Sequence, residues 1–179
     1  VEVGDLLASW QVGGSRGGWK PFLHHISKSM PQRRRAVSLK APKKLPQVLT
    51  PQQVQALLDG CEHLRDRLLL AVLYDTGMRI GEALGLRHND IAAAEREITV
   101  IRRDNDNGAR AKSIIARTVP VSAELVRLYA DYLHAEYGDL DSDYVFVNLW
   151  GRPLGRPWTY AAVYDLVCRL RRRTGVDFD

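Results

Sequence analysis

A chain of 179 residues, 45% hydrophobic and 26% charged, can bury one substantial core and has the balance of an ordinary globular protein. It holds no apolar run of the roughly 18 residues a membrane span needs, and its start, Val1-Glu2-Val3-Gly4-Asp5, has no basic or apolar leader region and no initiating Met, so an internal start is expected. The net charge of +5 is unevenly placed, because nine basic residues and no acidic one stand between Leu6 and Leu58: Arg16, Lys20, Lys28, Arg33, Arg34, Arg35, Lys40, Lys43 and Lys44.

Taking those nine from the 26 basic residues, and Glu2 and Asp5 from the 21 acidic ones, leaves 17 basic against 19 acidic from Asp59 onward. The N-terminal third therefore carries the whole positive excess. Such a segment favours a polyanion through counterion release. A solvated basic linker is the competing reading, and a lipid surface is disfavoured because Arg33–Lys44 has no broad apolar face.

In chain order, residues 5–12 allow a short helix, which Gly13-Gly14-Ser15-Arg16-Gly17-Gly18 breaks. Residues 31–47, with Pro31, Pro42 and Pro46 among basic residues, read as an extended linker. Thr50, Pro51 and Gln53 spell a capped helix start, with Val54, Leu57 and Leu58 as its apolar face and Gly60 as its stop. Leu64–Tyr74 reads as a buried helix and Ile80–Leu86 as a second one. Ile98–Ile101 and Ile114–Val119 read as strands around the turn cluster Asp104-Asn105-Asp106-Asn107-Gly108. Ser122 caps a helix whose inner face is Leu125, Leu128, Tyr129, Tyr132 and Leu133. Tyr144–Val147 is a short apolar segment before the Gly/Pro-rich loop 151–157, and Thr159 opens a last helix through Arg173. The expected class is α+β, mostly helical with a small antiparallel sheet. Cys61 and Cys168 fall in apolar helical contexts that suit packing and a reducing cytoplasm, and no Cys/His cluster has zinc spacing.

The stretch from Leu73 to Leu86, Leu-Tyr-Asp-Thr-Gly-Met-Arg-Ile-Gly-Glu-Ala-Leu-Gly-Leu, is the most informative in the chain. One helix ends at Thr-Gly, and the next begins with Arg79 and carries Glu82 three residues on, on the same face. A guanidinium beside unpaired backbone N–H groups suits a phosphate oxyanion, and a carboxylate one turn away can hold it. A short surface helix with an ion pair is the plainer reading of Arg79 and Glu82 alone. The whole string resembles the first arginine motif of the tyrosine recombinases, the phage-integrase family. The segment Lys112-Ser113-Ile114-Ile115-Ala116-Arg117-Thr118-Val119-Pro120 resembles that family's β-hairpin, with Lys112 eight residues before Pro120. The two motifs stand in the family's order.

The resemblance implies that Arg79 and Lys112 are catalytic and that Glu82 supports Arg79. It implies DNA cleavage by a tyrosine through a 3′-phosphotyrosyl intermediate, with no metal and no cofactor. Arg79 would stabilise charge on the pentacoordinate phosphate, and Lys112 would protonate the leaving 5′-oxygen. The family's His-x-x-Arg motif is not found, since none of His24, His25, His63, His88 and His134 has Arg at the third following position. The nucleophile follows that motif in the family, so none of the seven tyrosines is assigned to it. The resulting division is a remnant of an upstream core-binding domain over residues 1–30, a basic linker over 31–47, and roughly the first two-thirds of a catalytic domain over 48–179.

Double-stranded DNA is the expected partner, with self-association as a dimer or tetramer on it and a cytoplasmic, nucleoid-associated location. Candidate DNA contacts are Arg33, Arg34, Arg35, Lys40, Lys43 and Lys44 in the linker; Arg102, Arg103, Arg110 and Arg117 about the hairpin; and Arg152 and Arg156 before the last helix. For each of these taken singly, a solvated surface charge competes. The Arg171-Arg172-Arg173 triple reads as a complement to a helix C-terminus. The chain alone is expected to be inactive. The alternatives are a DNA-binding module that does not cut, and a helical interaction protein with a basic tail.

Overall fold

The computed structural model describes residues 48–177. The short helix expected over residues 5–12 and the basic linker with Arg33, Arg34, Arg35, Lys40, Lys43 and Lys44 lie outside them.

Helix α1, Pro51–Asp59, starts as its sequence requires. Thr50 Oγ1 accepts the Gln53 N–H at 3.3 Å, and Gln53 Oε1 accepts the Thr50 N–H at 2.8 Å. Helix α2, Leu64–Thr76, has no side-chain cap of its own at His63. Its free Leu64 and Arg65 N–H groups instead donate, each at 2.9 Å, to the Glu136 carboxylate from the far side of the sequence. Leu68, Leu69 and Val72 of α2 are 1%, 0% and 3% exposed. Their burial is worth on the order of 6 kcal/mol against about 1 kcal/mol for a cap, so packing holds this helix in place.

The chain leaves α2 through Gly77 in the left-handed region, φ 61°, with its N–H on the Leu73 carbonyl. The next helix, α3, is one turn, Ile80–Ala83, shorter than the Ile80–Leu86 that the apolar pattern suggests. Leu84 and Leu86 are buried by tertiary packing without continuing the helix.

A 3-10 turn at His88–Asp90 leads into a three-stranded antiparallel sheet in the order β1 (Ile91–Ala92), β2 (Glu97–Val100), β3 (Arg117–Pro120). Ile98 pairs with Ile91 on one side and Val119 on the other. Alternation along β2 sends Ile98 and Val100 into the core. The two-residue β1 has no sequence signal of its own. β3 begins at Arg117 rather than Ile114, because Ile114 and Ile115 are 79% and 80% exposed and bury nothing.

Ser122 caps α4, Ala123–Tyr132, by accepting the Leu125 N–H. A π-helical turn, Leu133–Tyr137, prolongs it to Gly138. Val145, Phe146 and Val147 are wholly buried yet lie in no named strand; the segment makes two isolated bridges, Arg87 to Tyr144 and Val147 to Pro157. Helix α5, Tyr160–Thr174, is capped by Thr159 and closes at Gly175. Val163, Leu166 and Leu170 are its inner face. Arg171, Arg172 and Arg173 fill its last turn, where Arg172 Nε donates to the Cys168 carbonyl. Cys61 is not helical as expected: it lies in the α1–α2 link and donates Sγ–H to the Leu57 carbonyl. Among the described residues no helix is long and apolar enough to cross a membrane, and no group of His, Cys, Asp and Glu could hold a metal ion.

Candidate active site and nucleic-acid interface

The site is assembled around one buried carboxylate. The left-handed turn at Gly77 ends α2, Met78 is buried as the anchor, and Arg79 follows in extended backbone as the N-cap of α3. Glu82, three residues on, has a side chain with no solvent exposure. Its Oε2 accepts the Arg79 N–H at 2.9 Å, and its Oε1 stands 3.6 Å from Arg79 Nη1. From β3, Arg117 closes on the same group, Nη1 to Oε1 at 3.0 Å and Nη2 to Oε2 at 2.7 Å. The Arg79 side chain remains 63% exposed, and that of Arg117 39%.

Hydrogen bonds from the Arg117 guanidinium hold the Glu82 carboxyl below the usual glutamate range, outweighing the opposite push of burial. The same bonds hold Arg117 above the ordinary arginine value. Glu82 is thus an anion throughout the physiological range, two guanidinium groups surround it, and the cluster carries net positive charge.

The connection between β2 and β3 lies against α3. A Cβ built at Gly81 would stand 2.8 Å from the Arg110 carbonyl oxygen, and one at Gly85 2.8 Å from Asn105 Nδ2. The connection is pinned there by its asparagines. Asn107 Nδ2 donates to the carbonyls of Leu84 (3.1 Å) and Trp158 (2.7 Å), and Asn105 Nδ2 to that of Ala109 (2.8 Å). Arg87 donates to Asn105 Oδ1 and stacks 3.5 Å over the Tyr144 ring. Ala109 and Ala111 are buried, and Lys112 emerges immediately after them, exposed, with no hydrogen-bond or ion-pair partner among the described residues.

The remaining sequence candidates fall into distinct environments. Arg103 is held by both nitrogens on buried Asp90, at 2.7 and 2.6 Å, a bond that also raises its pKa above the ordinary value. Arg102 is half-buried. Arg110 is exposed, 3.5 Å from Asp104. Arg152 and Arg156 are exposed in the loop before α5. Among the tyrosines, burial pushes Tyr129 up to about 12 and Tyr132 higher still, and Tyr132 donates its hydroxyl to the Val145 carbonyl. Tyr160 is 43% exposed and its hydroxyl lies beside Gly81.

Sequence reasoning did not find Asn105 and Asn107 as the pins of the connection, although the turn cluster that contains them was visible. Nor did it find Arg65, a buried cation paired with Asp66 at 2.8 Å, donating to the Val147 carbonyl, and 3.9 Å over the Trp158 ring. No signal in the sequence separates that arginine from a surface one.

The fold is that of solved recombinases. The XerA recombinase superposes with a TM-score of 0.60 at 24% identity, over 79% of this chain and 46% of the other. The Tn1549 transposon integrase, in complex with transposon right end DNA, gives 0.59 at 22% identity, over 75% and 46%. Transposase A from transposon Tn554 of Staphylococcus aureus is 41% identical over 162 residues, 89% of this chain and 45% of that protein. Tyrosine recombinase XerD of Halalkalibacterium halodurans is 33% identical over 126 residues, 65% and 39%. The chain spans less than half the length of these relatives. The model of the phage integrase family matches residues 47–179, and the chain belongs to that family.

Proposed function

We propose that this chain supplies the phosphate-gripping and proton-donating part of a site-specific DNA strand-transfer site. The observation that carries this reading is the buried Glu82 carboxylate, which orients Arg79 while leaving its guanidinium 63% exposed to an incoming group. A planar fork so held can take two oxygens of a scissile phosphate and stabilise the charge that accumulates there. Lys112, exposed on a firmly anchored connection, donates the proton to the leaving 5′-oxygen. His-x-x-Arg does not occur in residues 1–179, and none of the seven tyrosines among them is assigned as the nucleophile. The 179 residues alone then bind DNA without cutting it.

Double-stranded DNA is the partner in this reading, which is supported by the Tn1549 integrase in complex with transposon right end DNA and the XerH recombinase bound to palindromic difH substrate. Arg102, Arg110, Arg152 and Arg156 contact its backbone, and the charges of Arg33, Arg34, Arg35, Lys40, Lys43 and Lys44 add to the attraction. Arg103 is engaged by Asp90 and contributes less. On this reading the protein is cytoplasmic and nucleoid-associated, and it self-associates on DNA as a dimer or tetramer.

The test is Arg79→Lys in the longer protein that carries this sequence. The charge is kept and the fold with it, but a point charge cannot replace two directed donors. Cleavage falls by roughly a hundredfold or more, the size of one lost oxyanion donor. Wild-type cleavage by the lysine variant would exclude Arg79 from the phosphate. The alternative, a module that never takes part in cutting, is tested with a nicked suicide duplex: a denaturation-resistant adduct on the isolated 179 residues would show a nucleophile within them, Tyr160 beside Gly81 being the first to examine.

A further inference from the structure

We propose that Arg117 is a positioning residue: by satisfying the Glu82 carboxylate it keeps Arg79 aimed at, and free for, a DNA phosphate. The proposal rests on the assignment of Arg79 to the phosphate and gives Arg117 a role other than the DNA contact its place in the hairpin suggests.

The argument is one of competition for a buried anion. Glu82 has no solvent to neutralise it, so a cation must. Arg117 provides both of its terminal nitrogens, at 3.0 and 2.7 Å. Arg79 binds the same carboxylate through its backbone N–H at 2.9 Å, while its guanidinium stays at 3.6 Å, beyond good hydrogen-bond length. Arg79 is therefore oriented by Glu82 but not consumed by it. Take Arg117 away and the buried carboxylate has one guanidinium left to draw on. Arg79 then closes onto Glu82 as a bidentate pair and is lost to the phosphate. The chain topology makes this coupling possible, because Arg117 opens β3, whose pairing with β2 runs from Glu97–Pro120 to Val100–Arg117 and sets the guanidinium against α3.

A double-mutant cycle on the 179-residue chain tests this, with affinity for a short DNA duplex measured across a salt series. Arg79→Ala is expected to weaken binding about tenfold, the worth of one charged hydrogen-bonded contact, and to lower the slope of log K against log salt by about 0.9, the worth of one phosphate. Arg117→Ala is expected to do the same. The double variant is expected to be no worse than either, since both remove one contact. Arg117→Lys keeps a charge on Glu82 and should restore part of the loss.

Additive losses, with the slope falling by about twice as much in the double variant, would mean that Arg117 holds a phosphate itself and would overturn the proposal. A lowered melting temperature with affinity and slope intact would reduce Arg117 to a structural role and overturn it equally. Should Arg117→Ala fail to fold, Arg117→Lys takes its place in the cycle, with the same non-additivity expected. An unchanged affinity in Arg79→Ala alone would instead remove the reading on which the proposal rests, and is recognised because it needs no Arg117 variant.

Discussion

The backbone carbonyl of Arg110 lies against Gly81 so closely that a Cβ there would stand 2.8 Å from it. The helix that carries Arg79 and Glu82 and the connection that carries Lys112 are thereby in backbone contact. Gly81→Ala must push them apart. It is expected to lower the unfolding free energy by about 2 kcal/mol, the usual cost of overpacking. Chemical denaturation reads the loss, and a variant as stable as the parent would mean that the connection yields without cost.

Lys112→Ala leaves the fold intact, since the side chain is exposed and has no hydrogen-bond or ion-pair partner among the described residues. In the longer protein it should cut cleavage sharply with a normal 5′-oxygen leaving group. With a 5′-bridging phosphorothiolate, whose sulfur leaves without a proton, the deficit should nearly vanish. A sulfur substrate that fails to rescue the variant would leave Lys112 as a phosphate contact.

Glu82 gives the cluster a pH dependence of defined sign. Its carboxyl is held below the ordinary value of 4.5 by the Arg117 hydrogen bonds. A depressed pKa in the folded state contributes stability that is complete above the unfolded value and disappears as pH falls through the folded one. Glu82→Gln should therefore cost most at neutral pH, about 2 kcal/mol for a charged hydrogen-bonded group. The gap between parent and variant should narrow below pH 4.5. Denaturant midpoints compared at neutral and acid pH measure it, and a gap that widens in acid would contradict the assignment.

The basic segment is tested by its charge alone. Neutralising Arg33, Arg34 and Arg35 together should flatten the salt dependence of duplex binding by about 0.9 for each phosphate they neutralise, with little effect on sequence preference. A triple variant with the parent slope would take this segment off the DNA.

The helix starts at Thr50, Ser122 and Thr159, the stops at Gly60 and Gly77, and a strand through Ile98 were legible in the sequence, because capping and strand propensity are local. The pairing of the Arg79 and Lys112 motifs was legible for another reason: both strings, in order, pointed to one family. Tertiary structure alone decided which cation serves which anion. Arg103 and Arg117 look alike as hairpin arginines, yet one is taken by Asp90 and the other by Glu82. The cap of α2 comes from Glu136, 72 residues away, and α3 is a single turn, Ile80–Ala83, where the apolar pattern runs on to Leu86. A charge finds its partner through space, at distances that chain folding creates, and no local pattern of residue types encodes that choice.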